Sequence, residues 1–150
     1  WDVGAGTGSV SVECALACPA GRVYAVEKKA EALALLAENR ARFGADNLEI
    51  VTGTAPEALA DLPAPDRVFL GGTSGNMEEI LGAAFRKNPA ARVVCTAVTL
   101  ETVAEAARIF AGLADAGMVQ LSVTRTRPAG RYHLMDAQNP VWLFSGEGRA

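Results

Sequence analysis

Apolar positions along this chain fall into short β-rich runs that alternate with alanine-rich stretches of helical period. The runs predict strands at Trp1–Val3, Arg22–Glu27, Leu48–Thr52, Arg67–Gly71 and Ala91–Ala97. Between them the spacing predicts helices at Ser9–Cys18, Lys29–Phe43, Met77–Lys87 and Leu100–Ala116, with a short turn near Pro56–Leu62. Leu33, Leu36, Ala37 and Ala41 should face the sheet from one helix, and Val103, Ala107, Phe110 and Ala114 from another. Such alternation predicts βαβ units and a parallel sheet covered on both faces.

The tail breaks this rhythm. Val119–Arg127 and Val141–Ser145 read as strands, with only the loop "PAGRYHLMDAQNP" between them. Strands joined without a crossover pair antiparallel or lie apart. An antiparallel C-terminal hairpin on a five-stranded parallel sheet is the pattern of the class I S-adenosylmethionine-dependent methyltransferase, a Rossmann-like α/β fold. Trp1–Val3 is shorter than an ordinary strand, so the expectation is a single domain over residues 1–150 that begins inside its first strand and belongs to a longer chain. Trp142 is expected in the core, and Trp1 can join it.

Composition adds mainly exclusions. Half of the 150 residues are hydrophobic, enough for one core. A net charge of −3 offers no global attraction to nucleic acid or to an anionic membrane. No apolar run is long enough to span a bilayer. Cys14, Cys18 and Cys95 lack metal-site spacing and read as small buried hydrophobes in a reducing, cytoplasmic setting, with no metal implied.

Candidate chemistry begins in "WDVGAGTGSV". Gly4, Ala5, Gly6, Thr7 and Gly8 follow a strand and precede a helix, where glycines let backbone approach a ligand. A dinucleotide fingerprint needs a further glycine where Ser9 stands, so a nicotinamide cofactor is disfavoured. The spacing suits S-adenosylmethionine. Glu27, nineteen residues after Gly8, ends the second strand, where a carboxylate can accept both ribose hydroxyls. Its plainer reading is a solvated charge that starts the next helix with Lys28 and Lys29. Asp2 either accepts from the glycine-turn amides or faces the sulfonium. "TGTAPEAL" places Gly53–Ala55, with Thr54 between them, beside the adenine, and also reads as a helix start with Thr54 as cap, Pro56 near the first position and Glu57 at the third. After the fourth strand, "RVFLGGTSGNMEEIL" lacks the Pro-Pro-aromatic segment of enzymes that methylate nucleic-acid amino groups.

"WDVGAGTGSVSVE", "YAVE", "GTAPEAL", "VFLGGTSGNMEEIL", "TAVTLETVAEA" and "QNPVWLF", in this order, resemble the precorrin-6Y methyltransferases of cobalamin biosynthesis. The similarity is to their decarboxylating part, found as a separate subunit or fused to a carbon-5 methylase. It implies transfer of methyl from S-adenosylmethionine to carbon 15 of a precorrin tetrapyrrole, with loss of carbon dioxide from the ring-C acetate. It also implies a homo-oligomer, commonly a tetramer. By this resemblance Gly4–Gly8, Glu27 and Ala55 contact the cofactor, and substrate lies against Gly71–Asn76 and near Thr99. Thr73, Ser74, Asn76 and Thr99 are therefore the catalytic candidates. The chain departs from the family at Thr54, which replaces an aspartate, at Thr73-Ser74 in a loop that usually reads Gly-Gly-Ser-Gly-Gly, and at Thr96, which replaces an asparagine.

A macrocycle fringed with carboxylates needs a cationic rim. "TRTRPAGRYHL" supplies Arg125, Arg127, Arg131 and His133, and arginine forks match carboxylates. The alternative is a solvated hairpin loop. His133 could act as an acid in the decarboxylation or be structural. Methylation of a protein or RNA acceptor, and a cofactor-binding domain without turnover of its own, are the rival readings.

Overall fold

The computed structural model describes residues 1–149. Its elements in order are β1 (Asp2–Val3), α1 (Ser9–Ala17), β2 (Val23–Glu27), α2 (Ala30–Arg42), β3 (Leu48–Thr52), a 3₁₀ turn (Glu57–Leu59), β4 (Arg67–Leu70), α3 (Met77–Lys87), β5 (Arg92–Ala97), α4 (Leu100–Phe110), β6 (Ala114–Leu121), β7 (Thr124–Ala129), β8 (Tyr132–Ala137) and β9 (Val141–Glu147). Seven strands form one sheet in the order β3-β2-β1-β4-β5-β9-β6. The first five of these run parallel, and β9 and β6 close the far side antiparallel. This is the α/β class expected from the alternation.

Successive side chains on a strand point to opposite faces, so the sheet carries two cores. On one face Val3, Val68, Leu70, Val93, Cys95 and Phe144 pack against Met77, Ile80 and Ala84 of α3 and Phe110 of α4. On the other, Ala25 and Leu48 meet Val12 and Ala15 of α1 and Leu36 of α2. This second layer stops at β1. Beyond it Phe69, Val94, Thr96 and Leu143 remain half-buried, so among the described residues the sheet is covered on both faces over only part of its width. Trp1 joins the first core and donates its indole N–H to the Pro63 carbonyl at 3.1 Å, while Trp142 packs half-buried against the same core.

Several local expectations are corrected. The helix predicted to reach Ala116 stops at Phe110, because Gly112 and Leu113 bond back three residues to Ile109 and Phe110 and tighten the end into a turn. Ala114 consequently lies in β6, and Ala106 rather than Ala107 occupies the inward position one turn before Phe110. In α2 only Leu36 is fully buried, with Leu33 packed beside it; Ala37 and Ala41 are exposed. Cys14 and Cys18 are exposed, lining a hollow beside Trp1, Phe69 and Val94 of the uncovered sheet face, whereas Cys95 is buried and its thiol is pushed up to about 11 by desolvation.

The largest correction concerns the tail. The strand predicted over Val119–Arg127 breaks at Ser122-Val123, and the expected loop holds β8. Together β7 and β8 make a separate two-stranded ribbon around a two-residue turn at Gly130-Arg131. Almost every residue of this ribbon is exposed.

Candidate functional site

Parallel strands deliver their carboxyl ends to one edge of a sheet, where loops on either side of the β1 position separate. A crevice of about 370 Å³ lies there, within the range of small-molecule sites. It is lined by the turn after β1, the end of β2, the loop after β3 and the loop after β4.

Glu27 organises this crevice. Its Oε2 accepts the Gly6 amide at 2.8 Å, and its Oε1 accepts the amides of Lys28 at 2.8 Å and Lys29 at 2.9 Å. The same carboxylate thus holds the glycine turn from one side and the Lys28-Lys29 lead into α2 from the other. Burial by itself would raise its pKa; the amides of Lys29, Gly6 and Lys28, with the Lys29 charge, outweigh that and hold the carboxyl below the usual range. An ionised carboxylate has about four acceptor sites. Three are in use, which leaves room for a ligand hydroxyl.

The turn itself is less bare than its glycines imply. The amides of Gly4 and Ala5 both donate to the Val26 carbonyl, at 3.0 and 3.1 Å, and that of Gly8 to Ala5 at 2.9 Å. Gly4 is required by contact: a Cβ there would stand 2.6 Å from the Gly72 carbonyl oxygen. Gly6 differs, since at φ +57° a Cβ would meet nothing within 4 Å and would point into open space at the crevice. Asn39 of α2 ties down the next residue, donating to the Thr7 carbonyl at 2.9 Å.

Thr54 and Ala55 line the far wall. The cap expected of Thr54 does not form: its carbonyl, not its hydroxyl, accepts the Ala58 amide, and the segment makes only a single 3₁₀ turn. Asn76 spans from the loop after β4 and donates to the Ala55 carbonyl at 3.4 Å. Thr73 and Ser74 face the crevice from that same loop, with Ser74 at φ +51°. Lys28 reaches across the mouth and donates to Ser74 Oγ at 3.2 Å.

Other candidates lie elsewhere. Thr99 does not line the crevice; it caps α4, its hydroxyl oxygen accepting the Thr102 amide at 3.2 Å. Asp2 does not line the crevice, and the amides of Gly4, Ala5, Gly6 and Gly8 bond elsewhere. Asp2 is buried, one oxygen accepting the Ser11 hydroxyl and the other without a partner among the described residues. Burial raises its pKa, and the Ser11 bond counters this only in part. Arg125, Arg127, Arg131 and His133 sit on the exposed ribbon and not in the crevice wall. Cross-strand partners share a face, so Arg125 and Arg127 stand with Asp136 and Leu134, whereas His133 stands opposite them with Thr126 and Met135. Arg131 stacks over the Tyr132 ring, 5.0 Å from its centroid.

Two functional contacts escaped sequence reading. The Glu27 clamp on Gly6 joins residues 21 apart in sequence, and no local signal announces it. The Lys28–Ser74 contact had a trace in "EKK" directly after the strand-ending acid.

A sequence model described as a precorrin methyltransferase domain matches residues 1–147. A protein of Pyrobaculum calidifontis is 44% identical over 147 residues, covering 96% of this chain and 75% of the relative. The cobalt-precorrin-6B C(15)-methyltransferase (decarboxylating) of Salmonella typhimurium is 37% identical over 147 residues, covering 96% and 76%. Among solved structures, precorrin-6Y C5,15-methyltransferase from Geobacter metallireducens superposes with a TM-score of 0.89 at 36% identity, covering 99% of this chain and 79% of the other. The C-terminal domain of the Rhodobacter capsulatus precorrin-6Y C5,15-methyltransferase gives 0.87 at 34% identity, covering 98% and 78%.

Proposed function

The chain belongs to the precorrin methyltransferase domain family, and on that premise we propose that it methylates carbon 15 of a precorrin tetrapyrrole and releases carbon dioxide from the ring-C acetate. S-adenosylmethionine is the proposed methyl donor, held between the glycine turn, Glu27 and Thr54-Ala55. One observation carries this reading. Gly6 opens on the crevice with no side chain while Glu27, its charge preserved by three amides, stands beside it with acceptor capacity to spare. That combination fits a nucleoside sugar over bare backbone.

When bound, the cofactor supplies an electrophilic methyl on sulfur. The chain's own task is then alignment and exclusion of water. Thr73 and Ser74, which line the crevice, would position the macrocycle, and Asn76, outside the lining, fixes their loop against Ala55. Glu27, Lys28 and Lys29 are the only ionisable residues among those lining the crevice, and three amides hold Glu27 in its charged form. The site therefore favours orientation over an acid–base relay.

Incubation with cobalt-precorrin-6B and S-adenosylmethionine should give a product heavier by one methyl and lighter by one carbon dioxide, read by mass spectrometry. Methyl appearing instead on protein or RNA would refute the reading.

The ribbon is the proposed cationic rim. Leu121 pairs with Val141, and Trp142 with Ala97 at the end of β5, so the ribbon springs from the same sheet edge as the crevice. Arg127→Ala is expected to raise the KM for the tetrapyrrole much more than that for S-adenosylmethionine, measured by steady-state kinetics. An equal effect on both would make the ribbon a bystander.

We further propose a homo-oligomer. An isolated two-stranded ribbon is marginal in water, and β6 is a free edge that exposes Met118, Val119 and Leu121. Light scattering should give a multiple of the chain mass, and Leu121→Glu should lower it.

A further inference from the structure

We propose that Lys28 binds the substrate: its ammonium takes a peripheral carboxylate of the tetrapyrrole at the crevice mouth, opposite the ribbon arginines. The inference rests on the function proposed above and adds a residue to it.

The charge inventory of the crevice leads to Lys28. Of its three charged lining residues, Glu27 is anchored by the amides of Gly6, Lys28 and Lys29 and keeps its remaining acceptor site for the cofactor sugar proposed above. The ion pairs among the described residues are Arg22–Glu49, Arg92 with Asp115 and Glu147, and Arg108–Glu78; neither Lys28 nor Lys29 takes part. The mouth is thus locally cationic on a chain of net charge −3. Lys28 is the lysine whose ammonium is placed. It crosses from the end of β2 to Ser74, on the loop between the crevice and the edge where the ribbon rises. A serine hydroxyl is a weak partner for an ammonium, and a carboxylate would displace it with a charge-assisted bond.

Topology gives the second half of the argument. The sheet order β2-β1-β4-β5-β9-β6 puts Lys28 on one side of the Gly71–Asn76 loop and the base of the ribbon on the other. At about 4.8 Å per strand, the end of β2 and the base of the ribbon stand roughly 20 Å apart along the edge. A broad, flat polyanion lying over the loop would meet positive charge at both rims. A small neutral acceptor would need neither.

The test compares the wild-type chain with Lys28→Ala and Lys28→Arg in turnover of cobalt-precorrin-6B, alongside calorimetry of S-adenosylmethionine. Lys28→Ala should raise the KM for the tetrapyrrole by about tenfold and leave cofactor affinity and the melting temperature unchanged. Lys28→Arg should restore most of the KM, and added salt should narrow the gap between wild type and Lys28→Ala. An unchanged tetrapyrrole KM, or an equal loss of cofactor affinity, would overturn the role of Lys28 while leaving the function intact. A wild-type protein that does not turn over the tetrapyrrole would overturn both.

Discussion

Glu27→Ala is expected to weaken S-adenosylmethionine binding by about 1–3 kcal/mol and to destabilise the fold by about 3 kcal/mol, because one carboxylate serves both ends. The substitution removes charged acceptors from the amides of Gly6, Lys28 and Lys29 together. The glycine turn loses its tether to β2, and the Lys28-Lys29 segment before α2 loses its acceptor. Calorimetric titration and thermal melts separate the two losses, since each kcal/mol shifts the midpoint by about 2–4 °C in a domain of this size. Glu27→Gln should fall between, its single amide oxygen being unable to serve both sides. The difference should also depend on pH with a defined sign. Because the folded-state pKa of Glu27 is held below the usual carboxylate range, its contribution is full above that range and is lost as pH falls through the folded value. The stability gap between wild type and Glu27→Ala therefore closes on acidification. A gap that stayed constant, or widened, would contradict the clamp.

Gly4→Ala and Gly6→Ala should part company, although the two glycines stand two residues apart in one motif. At Gly4 a Cβ would lie 2.6 Å from the Gly72 carbonyl oxygen, 2.7 Å from its nitrogen and 2.9 Å from its Cα. All three are backbone atoms of the loop after β4, so nothing can swing aside. With φ at +73° adding strain, the expected cost exceeds about 4 kcal/mol, most of the stability of a domain at the low end of the ordinary range of about 5–15 kcal/mol. At Gly6 there is no clash, and the cost to the fold is the left-handed penalty of about 1–2 kcal/mol. The new methyl stands in the crevice, however, and cofactor affinity should fall about a hundredfold. Denaturant unfolding and calorimetry on both variants check this. A stable Gly4→Ala, or a Gly6→Ala that binds S-adenosylmethionine normally, would refute the respective account.

The features legible in the sequence are those with a local period or a local motif. Alternating β runs and helical stretches gave the five parallel strands, and the glycine turn followed by an acid gave the crevice. What escaped lies in two classes. Competing local signals misled the reading of the tail: the alanine-rich segment after Phe110 continues a helical pattern, yet Gly112 ends it and β6 begins at Ala114. The ribbon strand Tyr132–Ala137 was missed because its residues carry no buried face, and alternation is only informative where one side is buried. Its Gly130-Arg131 turn was the available hint. The second class is long-range. Asp2 and Glu27 are both acids at or near strand ends, and nothing nearby says that one turns to Ser11 of α1 while the other turns to Gly6. Only the register of β1 on β2, with Val3 opposite Val26, places Glu27 beside the turn.

The crystal structure of the protein grown with S-adenosylhomocysteine tests the central claim most directly. The account predicts the nucleoside in the crevice, a sugar hydroxyl on Glu27 and its chain passing over Gly6, with the Glu27–Gly6 bond intact. An empty crevice at saturating ligand, or a nucleoside seated away from Glu27, would contradict it.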